Sequence, residues 1–105
     1  MLIKKAVPSK LELTDKELDK CGFIYSSSRR KSILLALAEK PSTPSQLKGR
    51  TKVHMSHVSN ILKDLVDEDI IICVNPHRMK GKIYRLTETG KKIVEYINLT
   101  GNIKR

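Results

Sequence analysis

The chain has 105 residues, which suits one domain with a single core and is too short for a catalytic domain beside a sensing domain. Lysine and arginine number 21 against 11 aspartates and glutamates, and the formal net charge of +10 favours a polyanionic partner, nucleic acid ahead of an anionic membrane. No apolar run approaches the roughly 20 residues of a membrane span, and the first residues lack the apolar region of a signal peptide, so we expect a cytoplasmic protein.

The first 22 residues have only sparse apolar positions among lysines and acids. We interpret them as an N-terminal arm, irregular or weakly helical, followed by one folded domain over residues 23–99 and a tail over residues 100–105. In "SSRRKSILLALAEKP" the apolar residues Ile33, Leu34, Leu37 and Ala38 fall at helical spacing. Ser27 or Ser28 can cap the start of a helix, and Pro41 ends it, so this stretch is predicted to be the first core helix.

A helix-turn-helix pair is predicted next. Thr43 suits an N-cap, Pro44 suits the first turn, and Gln46 completes a capping box, so a short second helix begins here and holds Leu47 for the core. We interpret the following "KGRTK" as the end of this helix and a turn. Residues 54–69, "HMSHVSNILKDLVDED", then resume a helix within three or four residues.

The third helix has two distinct faces when residues are placed 100° apart. Its apolar stripe consists of Val58, Ile61, Leu62 and Leu65. The opposite side carries Ser56, Ser59, Asn60 and Lys63, with Met55 and His57 on its flanks. This polar face carries hydrogen-bonding groups and one cation.

A hairpin and a last helix complete the predicted order. The β-rich runs "IIICVN" and "KIYRL" are separated by "PHRMKG", which predicts a hairpin with a charged tip. In "LTETGKKIVEYINL" Thr87 suits an N-cap, and Ile93, Val94 and Ile97 form a helical stripe. The predicted class is therefore α+β and mainly helical.

The charges are segregated along the chain. Residues 40–63 contain five cations and no acid, and residues 70–87 contain four cations, Arg78, Lys80, Lys82 and Arg85, and no acid. The acids between these segments, Asp64, Asp67, Glu68 and Asp69, all fall at the end of the third helix. A helix that enters a DNA groove by its N-terminal half tolerates carboxylates only at its exit end. The alternative is that these acids simply keep a loop solvated.

The run "TPSQL…SHVSNILKDLVDEDII…NPHRMKGKIYRLTETGKKIVEYI" resembles winged helix-turn-helix transcription regulators of the ArsR/MarR type, particularly the short single-domain versions common in archaea. The resemblance covers residues 23–99 and is most specific over residues 43–90. It implies three core helices, a β-hairpin wing and a C-terminal helix. It also implies a homodimer, for which the N-terminal arm and the last helix, with Ile93, Ile97 and Leu99, would supply the contact surface.

Three features depart from the family pattern. Asn60 stands where arginine is frequent, and Asp69 stands where glycine usually closes the helix. The cysteine motif of the metal-sensing ArsR proteins is missing, so the resemblance implies no metal sensing.

The resemblance implies sequence-specific binding to double-stranded DNA, with residues 54–66 in the major groove and the wing, residues 75–82, on the backbone or in the minor groove. Base edges or nearby phosphates would be met by Ser56, His57, Ser59 and Asn60, and a phosphate by Lys63. The alternative is that these residues form the ordinary solvated face of an amphipathic helix. The backbone beside the groove would be bound by Thr43, Ser45, Lys48, Arg50 and Lys52. At the wing the contacts would come from Arg78, Lys80 and Lys82. Arg29, Arg30 and Lys31 either meet phosphate or only keep the surface soluble.

No enzyme, cofactor or metal site is predicted. The sequence has no Ser/His/Asp arrangement, Gly-rich phosphate loop or paired-carboxylate signature. His54 and His57 are too few to hold a structural zinc, and Cys21 and Cys73 lie far apart without a CxxC motif, so we interpret them as buried thiols.

Two other functions stay open. One is a general nucleic-acid module, chromatin-like or RNA-binding, although the scarcity of aromatic residues argues against single-stranded RNA. The other is a winged helix that binds proteins and has lost DNA binding, although we would not expect such a domain to have two basic segments free of acids.

Overall fold

The computed structural model describes residues 12–101, which form five α-helices and one antiparallel pair of strands. In chain order these are α1 (Asp15–Tyr25), α2 (Ser28–Glu39), α3 (Pro44–Thr51), α4 (Met55–Asp67), β1 (Ile71–Cys73), β2 (Tyr84–Leu86) and α5 (Glu88–Gly101). The predicted mainly helical α+β class, with a helix-turn-helix pair followed by a hairpin and a helix, is confirmed.

Helix α1 is more regular than the predicted arm. A capping box starts it: the Glu17 amide donates to Thr14 Oγ1 at 3.1 Å, and the Thr14 amide donates to Glu17 Oε1 at 2.9 Å. The helix packs against α2 and α5 and buries Cys21 and Ile24 in the core. A boundary between residues 22 and 23 would therefore cut through a helix of the folded domain. The rest of the predicted arm, residues 1–11, and residues 102–105 of the predicted tail lie outside the described residues.

Helices α2 and α3 begin at the predicted caps. Ser27 Oγ accepts from the Arg30 amide, and Thr43 and Gln46 form the expected capping box. In α2, Ala36 is buried and Ala38 is exposed, because at 100° per residue Ala36 lies nearer the centre of the face that buries Ile33, Leu34 and Leu37. Helix α3 continues through Thr51, so most of "KGRTK" is helical, and Lys52 ends the helix in the left-handed conformation with φ 65°.

The core lies between α4 and the helices around it. All four residues of the predicted α4 stripe, Val58, Ile61, Leu62 and Leu65, are buried. Ile93 and Ile97 of α5 are buried in the same cluster, at 0% and 3% exposure. Their assignment to a dimer surface was wrong, since they pack within one chain and only Leu99 of the three is partly exposed.

The hairpin is short and is joined to the start of α3. Cys73 pairs with Tyr84 and Ile71 with Leu86. Ser42 forms an isolated bridge to Tyr84, with amide-to-carbonyl distances of 3.1 and 2.9 Å, and is itself fully buried. This bridge places the N-terminus of α3 beside the wing. Asp69, with φ 62°, turns the chain from α4 into β1. This is the position where the proteins that the sequence resembles usually have glycine.

Candidate nucleic-acid interface

The polar face of α4 is exposed as predicted. Ser56, His57, Ser59, Asn60 and Lys63 all have exposed side chains along the first three turns. The helix begins after His54, whose side chain makes no capping hydrogen bond. The first amides of α4 therefore have no side-chain acceptor at the cap, and the positive end of the helix dipole favours an anion there.

Helix α3 lies between the wing and the start of α4. Its first residues, Thr43 to Ser45, line a shallow cleft together with Met79 to Lys82 of the wing, which we call the wing cleft. Ser45 also lines a second cleft, with Lys48, Lys52 and residues 53–55 at the start of α4, which we call the turn cleft. Because the two clefts share Ser45, the wing, α3 and the amino end of α4 border one continuous surface.

A third cleft extends this surface to the start of α2. Arg29 lines it with Lys52, His54 and His57, so this arginine stands beside the amino end of α4. Its two neighbours in sequence point elsewhere. The Arg30 guanidinium stacks 3.8 Å from the centroid of the Phe23 ring, and Lys31 Nζ lies 5.3 Å from that of Tyr25. Of the three cations left undecided by the sequence, Arg29 alone borders this surface.

Arg50 has a structural role that the sequence did not reveal. Its guanidinium donates to Ser42 Oγ at 2.6 Å, to the Ala36 carbonyl at 2.8 Å and to Glu39 Oε1 at 2.9 Å. These bonds tie α3 to the end of α2 and to the Ser42 bridge. Two donors are thus directed into the protein, toward Ser42 and Ala36, while the third meets the exposed Glu39 carboxylate. Arg50 therefore has a structural role, and its predicted contact with the DNA backbone stays a prediction.

The remaining predicted cations are available to an external anion. Lys48, Lys52, Lys63, Arg78 and Lys80 are exposed, and Lys82 is half-buried. None of the salt bridges formed within residues 12–101 involves any of these six side chains. Their charge is therefore not neutralised by a carboxylate of the described chain, which leaves this surface strongly positive.

The acids at the end of α4 lie away from its amino end. Helix α4 has 13 residues and so is about 20 Å long at about 1.5 Å per residue. At its carboxyl end Glu68 forms a salt bridge of 3.3 Å with Lys20 of α1, and Lys20 Nζ also donates to the Glu68 carbonyl. Glu68 thus lies beside α1, at the opposite end of α4 from the turn cleft.

The cysteines and possible metal ligands add no chemistry to this surface. Cys21 is buried, and burial, assisted by Glu17, raises the pKa of its thiol to about 11, while Cys73 is half-buried. Among residues 12–101 no three His, Cys, Asp or Glu side chains gather as a metal site. Every helix described within residues 12–101 falls short of the length and apolar character that a membrane span requires.

Comparison with known proteins identifies a fold. No protein-family model and no curated protein sequence matches the chain. Among solved structures, the chain is similar to the adhesin competence repressor (AdcR) from Streptococcus pyogenes, which has a winged-helix fold. The two superpose with a TM-score of 0.56 at 18% identity, over 85% of this chain and 76% of that chain. With its helix-turn-helix pair and two-stranded wing, this chain therefore has the winged helix-turn-helix fold.

Proposed function

We propose that the protein is a cytoplasmic transcription regulator that binds double-stranded DNA in a sequence-specific manner. One observation carries this proposal: α3 joins the wing and the amino end of α4 into one surface whose cations have no carboxylate partner among the described residues. Duplex DNA carries one negative charge per about 1.7 Å of its axis, so such a surface binds it through release of counterions.

In this proposal α4 reads the major groove with its exposed face. Asn60 is the residue best suited to recognise a base, because its amide pairs in a bidentate manner with adenine. Ser56, His57 and Ser59 lie on the same exposed face and contact base edges or adjacent phosphates. Lys63 lies farther along the helix, where it binds a phosphate at the groove edge.

The backbone contacts come from the elements on both sides of α4. Thr43 and Ser45 lie at the N-terminus of α3, where the capping box already uses the Thr43 and Gln46 amides and Pro44 has none. Phosphate is therefore bound there by the Ser45 amide and the two hydroxyls, while Lys48 and Lys52 extend from the turn cleft. Arg29 joins this set because it lines the cleft beside His57. Arg78, Lys80 and Lys82 of the wing bind the backbone or the edge of the minor groove.

We further propose that the protein acts as a homodimer through α1 and α5. Leu18 and Tyr25 of α1 are 41% and 48% exposed. Helix α1 is fixed to α5 by the salt bridge between Glu17 and Lys92, 3.1 Å, and by the contact between Tyr25 and Thr100 hydroxyls, 3.4 Å. A dimer would recognise a pseudo-palindromic site. Sedimentation showing a monomer at micromolar concentration, with half-sites bound as tightly as full sites, would contradict this part of the proposal.

The test of DNA reading begins with selection of bound sequences from a random duplex pool. Substitution of Asn60→Ala should then change the preference for one base pair of the selected site by about 1 to 3 kcal/mol. Substitution of Lys63→Ala should weaken binding to all sequences and lower the slope of log K against log salt by about one. A matched control is Lys16→Ala on α1, which removes one exposed cation away from the surface and should leave the slope unchanged.

The outcomes of this experiment separate the competing functions. Equal affinity of the wild type for random and selected duplexes would indicate a general nucleic-acid module. If Asn60→Ala and Lys63→Ala both leave DNA retention unchanged, α4 is not the reading helix. Absence of duplex binding by the wild type would favour a winged helix that binds proteins.

A further inference from the structure

Met79, at the tip of the wing, is the most exposed large apolar side chain among the described residues. Its exposed fraction is 92%, whereas the other exposed large apolar residues range from 40% to 48%. An isolated methionine on a surface is not unusual. Here, however, almost the whole side chain projects into water, and it does so from the part of the chain that we propose to meet DNA.

The loop that carries Met79 is held in shape by hydrogen bonds across its base. Asn75 Oδ1 accepts from the Ile83 amide at 2.8 Å, and Asn75 Nδ2 donates to the Gly81 carbonyl at 3.2 Å. The Arg78 amide donates to the Asn75 carbonyl at 3.0 Å. Gly81 has φ 71°, a left-handed conformation that suits glycine and turns the chain back toward β2. The loop thus presents Met79 outward instead of folding it onto the sheet.

The neighbours of Met79 are cations. Arg78 and Lys80 flank it and both are exposed, so they suit the phosphates on the two sides of a groove. A thioether gains nothing from contact with phosphate oxygens or with water. It gains from leaving water. The deoxyribose carbons along the minor groove can cover only part of the side chain, whereas the faces of two base pairs, once their step opens, can cover both of its sides.

We propose that Met79 inserts from the minor groove between two base pairs and partly unstacks them. The proposal rests on the proposed function, since it names what the wing tip does on a bound duplex. Apolar wedges of this kind include methionine, and they kink DNA by roughly 20 to 90° toward the major groove. Arg78 and Lys80 hold the two phosphate strands while the side chain between them enters the stack.

The wedge gives the wing a means of selecting sequence without hydrogen bonds to bases. Pyrimidine–purine steps such as TA and CA unstack more easily than others. The site under the wing should therefore contain such a step, and its replacement by a stiff step should weaken binding. Met79 would then be a specificity-determining residue that acts through DNA deformability.

The experiment uses the full chain and a selected duplex in which 2-aminopurine replaces one adenine at a time under the wing. Its fluorescence rises when the base is unstacked, and a donor–acceptor pair at the duplex ends reports the bend. The variants are Met79→Gln, which keeps the length but is polar, and Met79→Leu, which stays apolar. Lys80→Gln is the matched control that removes a charge beside the wedge.

The expected result is a fluorescence increase at one step with the wild type and with Met79→Leu. Met79→Gln should lose both this increase and the bend, and should bind on the order of tenfold more weakly, or about 1.4 kcal/mol, with an unchanged salt slope. Lys80→Gln should lower the slope by about one but keep the increase.

Two results would overturn the proposal in distinguishable ways. If the wild type binds the duplex but 2-aminopurine fluorescence rises at no step, and Met79→Gln binds as tightly as the wild type, the insertion of Met79 is refuted and the DNA-binding proposal stands. If the wild type binds no duplex, both fall. Since Met79 is exposed, its variants should unfold at the wild-type temperature, so a loss of signal cannot be attributed to loss of the fold.

Discussion

Substitution of Gly90→Ala tests how closely α5 approaches Ile70, the residue before β1. A Cβ at this position would overlap the carbonyl oxygen of Ile70 and would lie 3.3 Å from Leu86 Cβ. The Ile70 oxygen cannot easily retreat, because it accepts from the Thr87 amide at 3.0 Å and from Thr87 Oγ1 at 3.1 Å. The substitution must therefore shift α5 or break these bonds.

The magnitude follows from three contributions. Overpacking costs about 1 to 3 kcal/mol. Each weakened hydrogen bond costs about 1 kcal/mol. The higher helix propensity of alanine than of glycine offsets about 1 kcal/mol of this loss. We expect the free energy of unfolding to fall by about 2 to 3 kcal/mol, which for a domain of this size lowers Tm by roughly 10 to 20 °C.

The assay is urea and thermal unfolding followed by far-UV circular dichroism. The matched control is Gly49→Ala in α3, where an added Cβ would meet no atom within 4 Å. This control should be as stable as the wild type or up to about 1 kcal/mol more stable. If Gly90→Ala unfolds at the same urea midpoint as Gly49→Ala, the close contact between α5 and Ile70 is refuted.

Three further predictions concern single side chains. Arg50→Gln should lower the free energy of unfolding by about 1 to 3 kcal/mol without altering the salt slope of DNA binding. Lys48→Gln should lower that slope by about one and leave the free energy of unfolding unchanged. The reverse pattern would mean that Lys48 stabilises the fold and Arg50 binds DNA. The Thr14 amide, and then the Lys92 ammonium, hold the pKa of Glu17 below its ordinary value of 4.5, so its stabilisation is present above pH 4.5 and is lost as the pH falls through the lowered pKa. The difference in urea midpoint between wild type and Glu17→Gln should therefore shrink on acidification from about pH 7 to about pH 3, and a constant difference would contradict this reasoning. Because the pKa of the buried Cys21 thiol is raised to about 11, a disulfide reagent at neutral pH should label Cys73 first and Cys21 only on unfolding, and equal native rates would contradict its burial.

Much of the fold follows from local patterns in the sequence. The capping box at Thr43 and the apolar stripe from Val58 to Leu65 involve residues within one or two turns of each other, so sequence spacing suffices to place them. The same capping pattern, "TDKE", starts α1 at Thr14. Local spacing does not predict this helix firmly, because the apolar residues of the stretch are sparse and because α1 is stabilised by packing against α2 and against α5, which is distant in sequence.

The contacts of long side chains could not be predicted from sequence spacing. Arg50 and Lys48 look equivalent in sequence, yet the Arg50 guanidinium donates to Ser42 and Ala36, whereas Lys48 takes part in none of the salt bridges within residues 12–101. Ile93 and Ile97 had the spacing of a buried stripe, but spacing does not tell whether the covering surface belongs to the same chain. The outward position of Met79 depends on the hydrogen bonds of Asn75 across the loop, which no pattern of neighbouring residues reveals.

The central claim is that the wing, α3 and the amino end of α4 bind duplex DNA together. The most direct measurement is a nitrogen–proton correlation spectrum of the labelled full chain, recorded during titration with the selected duplex. We expect the largest shifts at residues 76–82, at residues 43–52 and at residues 54–63, with small shifts at Asp67 and along the start of α1. Shifts confined to α1 and α5, or changes in only one of the three elements, would contradict the claim.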